Sequence, residues 1–281
     1  MILRKEIFLR KVGLNITKIL IALFFVFCFS KNVSALEFKG KFIQGNFILG
    51  KANKSTKVKI DNKFIRVNKN GYFAFGLSKN RKNDIVIEII DNGKSRKITK
   101  KIYKKKYIVQ KIDGLAKKHV TPPKEVYERI KQDNKLISKA RSVDSNLDFF
   151  TKDFIKPVEN SIITGVYGSQ RILNGIPKSP HFGLDFAGKE GTKVKAMLDG
   201  IVTMSEQDLY YTGGTIIFDH GHGVSTLYMH LKDVLVEKDQ KIKQGDIIGT
   251  VGMTGRSTGP HLDIRLNWFN VKLDPMSVLD Y

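Results

Sequence analysis

His181-Phe-Gly-Leu-Asp185, Leu227-Tyr-Met-His230-Leu231 and Thr258-Gly-Pro-His261-Leu-Asp263 carry five side chains that can bind, or work beside, a divalent metal. Strand-like sequence separates the three clusters. His181 and Asp185 stand four apart around Gly183. On an irregular strand that spacing lets both reach one ion, because imidazole nitrogen and carboxylate oxygen bind zinc at about 2.0–2.2 Å. His261 and Asp263 are two apart, so on a strand they share a face while Leu262 and Ile264 turn to the other, into apolar packing. His230 closes an alternating run, 225–231, that places Tyr228 and His230 on one face and Leu227, Met229 and Leu231 on the opposite one. Each cluster alone also reads as ordinary structure: a surface His-x-Asp pair, a hydrogen-bonded core histidine.

Around these clusters the chain is punctuated by glycine. Residues 161–168, 193–196, 200–205, 214–219, 225–230, 247–251 and 262–268 read as strands. Residues 236–251 read as a hairpin-rich unit, with Gly245 and Gly249 supplying sharp reversals. No long helix interrupts this region, so residues 150–281 are expected to form an antiparallel β domain with an open groove.

Upstream, residues 37–118 alternate short apolar runs with turn signals such as Asp61-Asn62, Asn70-Gly71 and Asp91-Asn92-Gly93. Seven strands, including 42–43 and 98–103, spaced by about 8–12 residues, predict a small β-sandwich. The first histidine of the chain is His119, so nothing in this module looks catalytic. Residues 119–149 predict a helical linker. Thr121 caps a helix over 122–141, Pro122 sits in its first turn, and Val126, Ile130 and Ile137 form the apolar face. Residues 142–148 then make a polar connection.

Length and charge bound the rest. The 281 residues suffice for two modest cores. The net charge of +22 is concentrated: residues 37–118 hold 23 basic against six acidic side chains, while residues 119–281 hold 20 of each. Residues 1–36 have a basic start, an apolar run of 12 residues and Val33-Ser34-Ala35, the pattern of a secretory signal peptide. In a protein of the periplasm or cell envelope, the basic module is expected to meet an anionic envelope polymer or lipid surface rather than nucleic acid. A solvated, lysine-rich surface explains the same charge. The single cysteine, Cys28, lies in the apolar run, so the mature chain is expected to have neither disulfide nor thiol ligand.

Taken together, the three clusters resemble the lysostaphin/LytM-type zinc metallopeptidases, a family of peptidoglycan endopeptidases. That family is marked by His-x-x-x-Asp, a Tyr-x-His-Leu histidine and a terminal Gly-x-His-x-His. The resemblance spans residues about 157–276 and includes Gly165-Val-Tyr-Gly168, Asp219-His-Gly-His-Gly223 and Leu273-Asp-Pro275. It implies a duplicated-hybrid-motif fold and a zinc-dependent metalloendopeptidase acting on peptidoglycan stem peptides. It also implies His181 and Asp185 as metal ligands, His261 as general base, and His230 as a second unligated histidine steadying the oxyanion or leaving group. The chain departs from the pattern at Asp263, where the family's third ligand is a histidine. A carboxylate there can still ligate zinc, but it makes the ion more electron-rich and more tolerant of manganese. This reading requires His181, Asp185 and Asp263 to converge on one cation, with Asp263 not tied up elsewhere by an arginine or lysine. The competing reading is a catalytically degenerate LytM-domain regulator that activates cell-wall amidases. His220 and His222 are expected to be turn residues, and Arg171, Asn174, Tyr210 and Tyr211 to line the groove, with Arg265 and Trp268 supporting it.

Overall fold

Alternation of isoleucine and polar residues builds the first two sheets. The computed structural model describes residues 36–114 and 120–279; the expected targeting segment up to residue 35, with Cys28, and His119 lie outside the described residues. Strands β1 (Glu37–Lys39), β2 (Phe47–Lys51), β3 (Lys57–Ile60), β4 (Lys63–Ile65), β5 (Tyr72–Gly76), β6 (Ile85–Asp91) and β7 (Lys94–Lys100) divide into sheets ordered β1-β2-β5 and β4-β3-β6-β7. Ile85, Ile87 and Ile89 of β6 project to one side, as period two requires, and meet Ile48, Phe73 and Phe75 of the other sheet in one core. Asp61-Asn62 and Asn92-Gly93 close two-residue hairpins, all four residues at positive φ, the conformation that matches strand twist. The second hairpin pairs Asp91 with Lys94, so the last strand lies at Lys94–Lys100 rather than at 98–103. Residues 42–43 contribute only a bridge from Ile43 to Tyr103.

The lysine-rich segment that follows contains an unforeseen strand. β8 (Val109–Ile112) runs parallel to β10 (Gln170–Leu173), which also pairs with β11 (Ile176–Pro177). Helix α1 (Tyr127–Arg141) begins five residues later than expected, after a 3₁₀ turn at Lys124–Val126. Pro122 stands before a proline, which disfavours the helical region for it, and Pro123 itself is extended at ψ 154. No side chain caps this helix start. Of the expected apolar stripe, Ile137 with Ala140 packs on Met204, Leu209, Ile217 and Leu227.

The remaining strands are β9 (Ile163–Gly165), β12 (Leu184–Ala187), β13 (Lys193–Lys195), β14 (Gly200–Leu209), β15 (Gly213–Gly221), β16 (Val224–Val234), β17 (Lys241–Ile242), β18 (Ile247–Val251), β19 (His261–Trp268) and β20 (Val271–Leu273). They build one mainly antiparallel sheet of order β17-β14-β15-β16-β19-β12-β9, with β18 pairing β13 and β16, and β20 pairing β19. Residues 236–251 are therefore not a self-contained hairpin unit: β17 pairs with β14 instead of with β18. Gly245 has φ +89, but Gly249 is not left-handed; its lack of a Cβ admits the Asp233 carbonyl, 2.5 Å from where that atom would stand. The core beneath the site holds Leu184, Phe186, Tyr228, Leu231, Leu262 and Ile264. Trp268 packs against both this core and the sandwich core, away from the groove it was expected to support.

Candidate metal centre

Strand pairing brings the carboxylates together. Asp185 on β12 lies directly opposite Asp263 on β19, and side chains of such a pair project to the same face. Two glycines clear the space. A Cβ on Gly165 would stand 2.0 Å from Asp185 Oδ2, and one on Gly183 would stand 1.9 Å from Asp263 Oδ1. His181 is held by backbone bonds on both sides, its N–H donating to Ser169 O at 2.8 Å and its carbonyl accepting from Gly168 at 2.6 Å. Its Nε2 sits 3.1 Å from Asp185 Oδ1 and 3.3 Å from Asp263 Oδ2.

His230 reaches the pocket by a route that simple alternation misses. Between the pairs Ile216–Tyr228 and Gly214–Leu231, β16 carries one extra residue, and His230 itself has φ +64. This bulge breaks the period-two pattern. Tyr228 and Leu231 therefore share a core, contrary to the expected facing, while His230 lines the cavity with His261. The two imidazole centroids are 4.8 Å apart. His230 Nδ1 lies 2.9 Å from the Thr254 carbonyl and His261 Nδ1 2.8 Å from the Gly259 carbonyl. A carbonyl only accepts, so each Nδ1 carries a proton and each Nε2 is left without a carbonyl partner on the cavity side. Burial drives the His230 pKa down to about 4, so the ring is neutral at pH 7.

The donor set of His181, Asp185 and Asp263 fits a divalent metal: one ligand atom from each lies within 4.8 Å of the others. Asp263 is almost wholly buried, and its Oδ1 has no hydrogen-bond partner. Asp185 Oδ1 is near His181 but likewise makes no aligned hydrogen bond. Buried carboxylate oxygens without partners are costly unless a cation satisfies them.

Asp263 is not tied up elsewhere, since it stays beside His181 and Asp185, but an arginine does pair with it there. Arg265 Nη2 donates to Asp263 Oδ2 at 3.1 Å, and Arg171 Nη2 to Asp185 Oδ2 at 3.4 Å. Arg265 follows Asp263 by two on β19, so the same face that carries the acid carries its counter-charge. One oxygen of Asp263 remains free. Burial favours the neutral acid, but Arg265 and His181 outweigh it and hold the Asp263 pKa well below the usual carboxylate range. Burial likewise favours neutral His181, but Asp263 and Asp185 prevail and raise it to about 9. In the metal-free site His181 therefore carries a proton where a cation would otherwise sit.

These groups open into a cavity of about 560 Å³. Arg171 lines it as expected, Arg265, expected only to support the groove, lines it too, Asn174 does not, and Tyr211 borders another depression with Tyr127 and Ile130. Gln110, Lys178, Arg256 and Lys272 line it too and were not anticipated. Gln110 arrives through β8, a strand hidden in a lysine run, whereas Arg256 stood in view in the Gly-rich loop before His261. His220 is structural: its Nδ1–H donates to Asp199 O and its Nε2 accepts from Thr226, both at 2.7 Å, with burial lowering its pKa to about 4. His222 packs on Phe150 away from the site.

Comparison with known proteins points to the same part of the chain. The peptidoglycan DD-endopeptidase ShyA of Vibrio cholerae is 38% identical over 126 residues, 44% of this chain and 29% of that one. The DD-carboxypeptidase/endopeptidase Mpg of Neisseria meningitidis is 39% identical over 98 residues, 35% of this chain and 22% of that one. The chain thus spans less than a third of the length of these curated relatives. A candidate peptidase M23 from Pseudomonas aeruginosa has a similar fold, with TM-score 0.61 over 85% of this chain and 95% of that one, at 23% identity. The profile of peptidase family M23 matches residues 179–275, and within that matched segment lie His181, Asp185, His230, His261 and Asp263.

Proposed function

We propose that this protein is an exported, zinc-dependent metalloendopeptidase that hydrolyses peptide cross-links of bacterial peptidoglycan. The observation that carries this reading is the convergence of His181, Asp185 and Asp263, with orphaned carboxylate oxygens, beside two histidines held through Nδ1 by backbone carbonyls. The curated relatives, both of them endopeptidases by name, supply the substrate class.

His181, Asp185 and Asp263 would hold the ion. Zinc bound there supplies Lewis acidity toward a carbonyl oxygen and toward water. His261, locked by Gly259 through Nδ1, has its Nε2 available to take a proton and return it to the leaving amine. His230 is neutral and offers only an acceptor at Nε2, so it orients a water or an amide N–H; it can donate to an oxyanion only after it has itself been protonated. The basic residues 37–118 hold the enzyme at an anionic polymer or lipid surface of the envelope.

The test is metal analysis of the purified protein together with hydrolysis of purified peptidoglycan. About one equivalent of zinc and release of cross-link fragments are expected. His261→Ala should retain metal while losing about 10²–10⁴-fold in turnover. A second reading, a non-catalytic regulator that activates cell-wall amidases, draws on the two arginines that neutralise Asp185 and Asp263 without any ion. Protein that purifies and functions without metal, hydrolyses nothing, and stimulates an amidase would establish it.

A further inference from the structure

The cavity that holds the candidate metal centre is unusually basic. Arg171, Lys178, Arg256, Arg265 and Lys272 line it, and Asp185 and Asp263 are the carboxylates among the described lining residues. Both acids are already engaged, Asp185 by Arg171 and Asp263 by Arg265. Lys178, Arg256 and Lys272 remain, and none makes an ion pair among the described residues.

Arg256 is the most informative of the three. It belongs to the loop between β18 and β19, and that loop is pinned close to its neighbour. Gly255 has φ +66, a Cβ there would stand 2.5 Å from Gly213 N, and the Arg256 N–H donates to Tyr211 O at 2.9 Å. The guanidinium lies 4.2 Å from the centre of the Tyr211 ring. Stacking of this kind fixes the plane of an arginine and leaves its edge donors free. Its pKa is lowered, first by desolvation and further by Arg171 and Arg265. Lys272 is placed in a similar way, its ammonium 4.2 Å from the Phe182 ring centre. Each aromatic ring positions a cation without neutralising it.

We propose that Arg256, with Lys178 and Lys272, forms an anion-recognising subsite that binds a carboxylate of the peptide beside the bond to be cut. The proposal rests on the peptidase reading for its substrate and extends it to the chemistry the enzyme selects. Like charges gathered in one concavity repel each other, and an incoming anion relieves that repulsion while gaining charge-assisted hydrogen bonds. A guanidinium with two parallel N–H edges matches a carboxylate in a bidentate manner. A neutral peptide, such as an oligoglycine bridge or an amidated stem, would leave all three cations uncompensated.

The experiment uses the full-length His261→Ala protein, so that binding is measured without turnover. The probes are two matched pairs of peptides. One is a D-alanine–diaminopimelate cross-linked dimer with the diaminopimelate carboxylate free or amidated; the other is a stem peptide with its C-terminal carboxylate free or amidated. In at least one pair the free acid should bind about tenfold tighter or more, with a preference that weakens as salt rises. The pair that responds identifies which carboxylate is read. Arg256→Gln and Lys178→Gln should erode the preference, and Arg256→Lys should restore part of it. In the protein with His261 intact, Arg256→Gln should raise KM more than it lowers kcat. Equal binding of acid and amide in both pairs would overturn the proposal, as would an acid preference that survives Arg256→Gln, Lys178→Gln and their combination. Cleavage without preference would sink the subsite and leave the peptidase standing; preference without cleavage would do the reverse.

Discussion

Replacing Asp263 with alanine isolates the residue on which the metal centre turns. In the metal-free protein the change removes the partner of two cationic groups at once, Arg265 at 3.1 Å and the protonated His181 at 3.3 Å. Asp263 is nearly inaccessible, while the Arg265 side chain keeps 28% exposure and can relax toward solvent. Breaking a buried pair by deleting one member costs about 3–5 kcal/mol, and the partial exposure of Arg265 argues for the lower end. For a unit of this size, about 3 kcal/mol corresponds to a fall in Tm of roughly 6–12 °C. Zinc adds a second, separable effect. A ligand at about 100 times its Kd stabilises the native state by about 2.7 kcal/mol, so wild type should gain several degrees on adding zinc and Asp263→Ala should gain nothing. Asp263→His supplies a ligand but leaves Arg265 facing a neutral ring. It should therefore melt below wild type without metal and regain a metal-dependent rise. Thermal scans with and without zinc, alongside metal stoichiometry by elemental analysis, read all three proteins. An alanine variant that still takes up one equivalent with wild-type affinity would show that Asp263 is a counter-ion to Arg265 and no ligand.

Three further outcomes follow from the same geometry. Gly183→Ala would press a methyl into Asp263 Oδ1, 1.9 Å away and backed by the Ile264 carbonyl, so metal affinity should fall even though no ligand is changed; an unchanged zinc titration would count against the placement of Asp263. His181 has a folded pKa raised to about 9 against an ordinary 6.5, so the stability it gives the metal-free protein is complete below pH 6.5 and fades as pH rises through 9. Metal must displace that proton, so apparent zinc affinity should climb about tenfold per pH unit up to pH 9 and then level off; a flat profile between pH 7 and 9 would refute the assignment. His220→Phe should lower Tm by the loss of two buried hydrogen bonds, about 1–3 kcal/mol, with metal content unaltered, whereas a loss of metal would mark His220 as part of a second site.

Much of the fold was legible because period two survives along most strands. Ile85, Ile87 and Ile89, or Leu262, Ile264 and Leu266, alternate as a half-buried sheet demands. The failures share physical causes. His230 sits at a bulge with a left-handed backbone, and a parity argument cannot anticipate an inserted residue. Strand β8 is hidden in a run of lysines with no apolar alternation, and what orders it is remote: pairing with β10, and Tyr107 packed on Gly168, where a Cβ would come within 2.1 Å of the ring. The late start of α1 reflects two prolines acting as a brake instead of a first turn. Within the site, His261 and Asp263 could be placed on a common face from spacing alone. That β12 lies beside β19, and so sets Asp185 against Asp263, depends on strand order, which local sequence does not encode. The pairing of Arg265 with Asp263 was readable by the same spacing rule that linked His261 to Asp263; that of Arg171 with Asp185, delivered by a different strand, was not.

The arginines also bear on why an aspartate can stand where a histidine is usual. Two histidines and one carboxylate around a divalent ion leave a net positive centre, and one histidine with two carboxylates leaves a neutral one, which should draw less electron density from a carbonyl. Arg265 and Arg171, however, each donate to one oxygen of one of those carboxylates. A hydrogen bond from a cation withdraws charge from a ligand oxygen and so returns to the centre part of the electrophilicity the second carboxylate removed. The same contacts keep Asp263 ionised despite its burial, which a lone second carboxylate in so dry a site would resist. With Asp263 as third ligand, the sum of charges around a bound divalent ion would thus stay positive. Asp263 and Arg265 act as one unit in place of a single imidazole, and substitution of either alone should be more damaging than exchange of both.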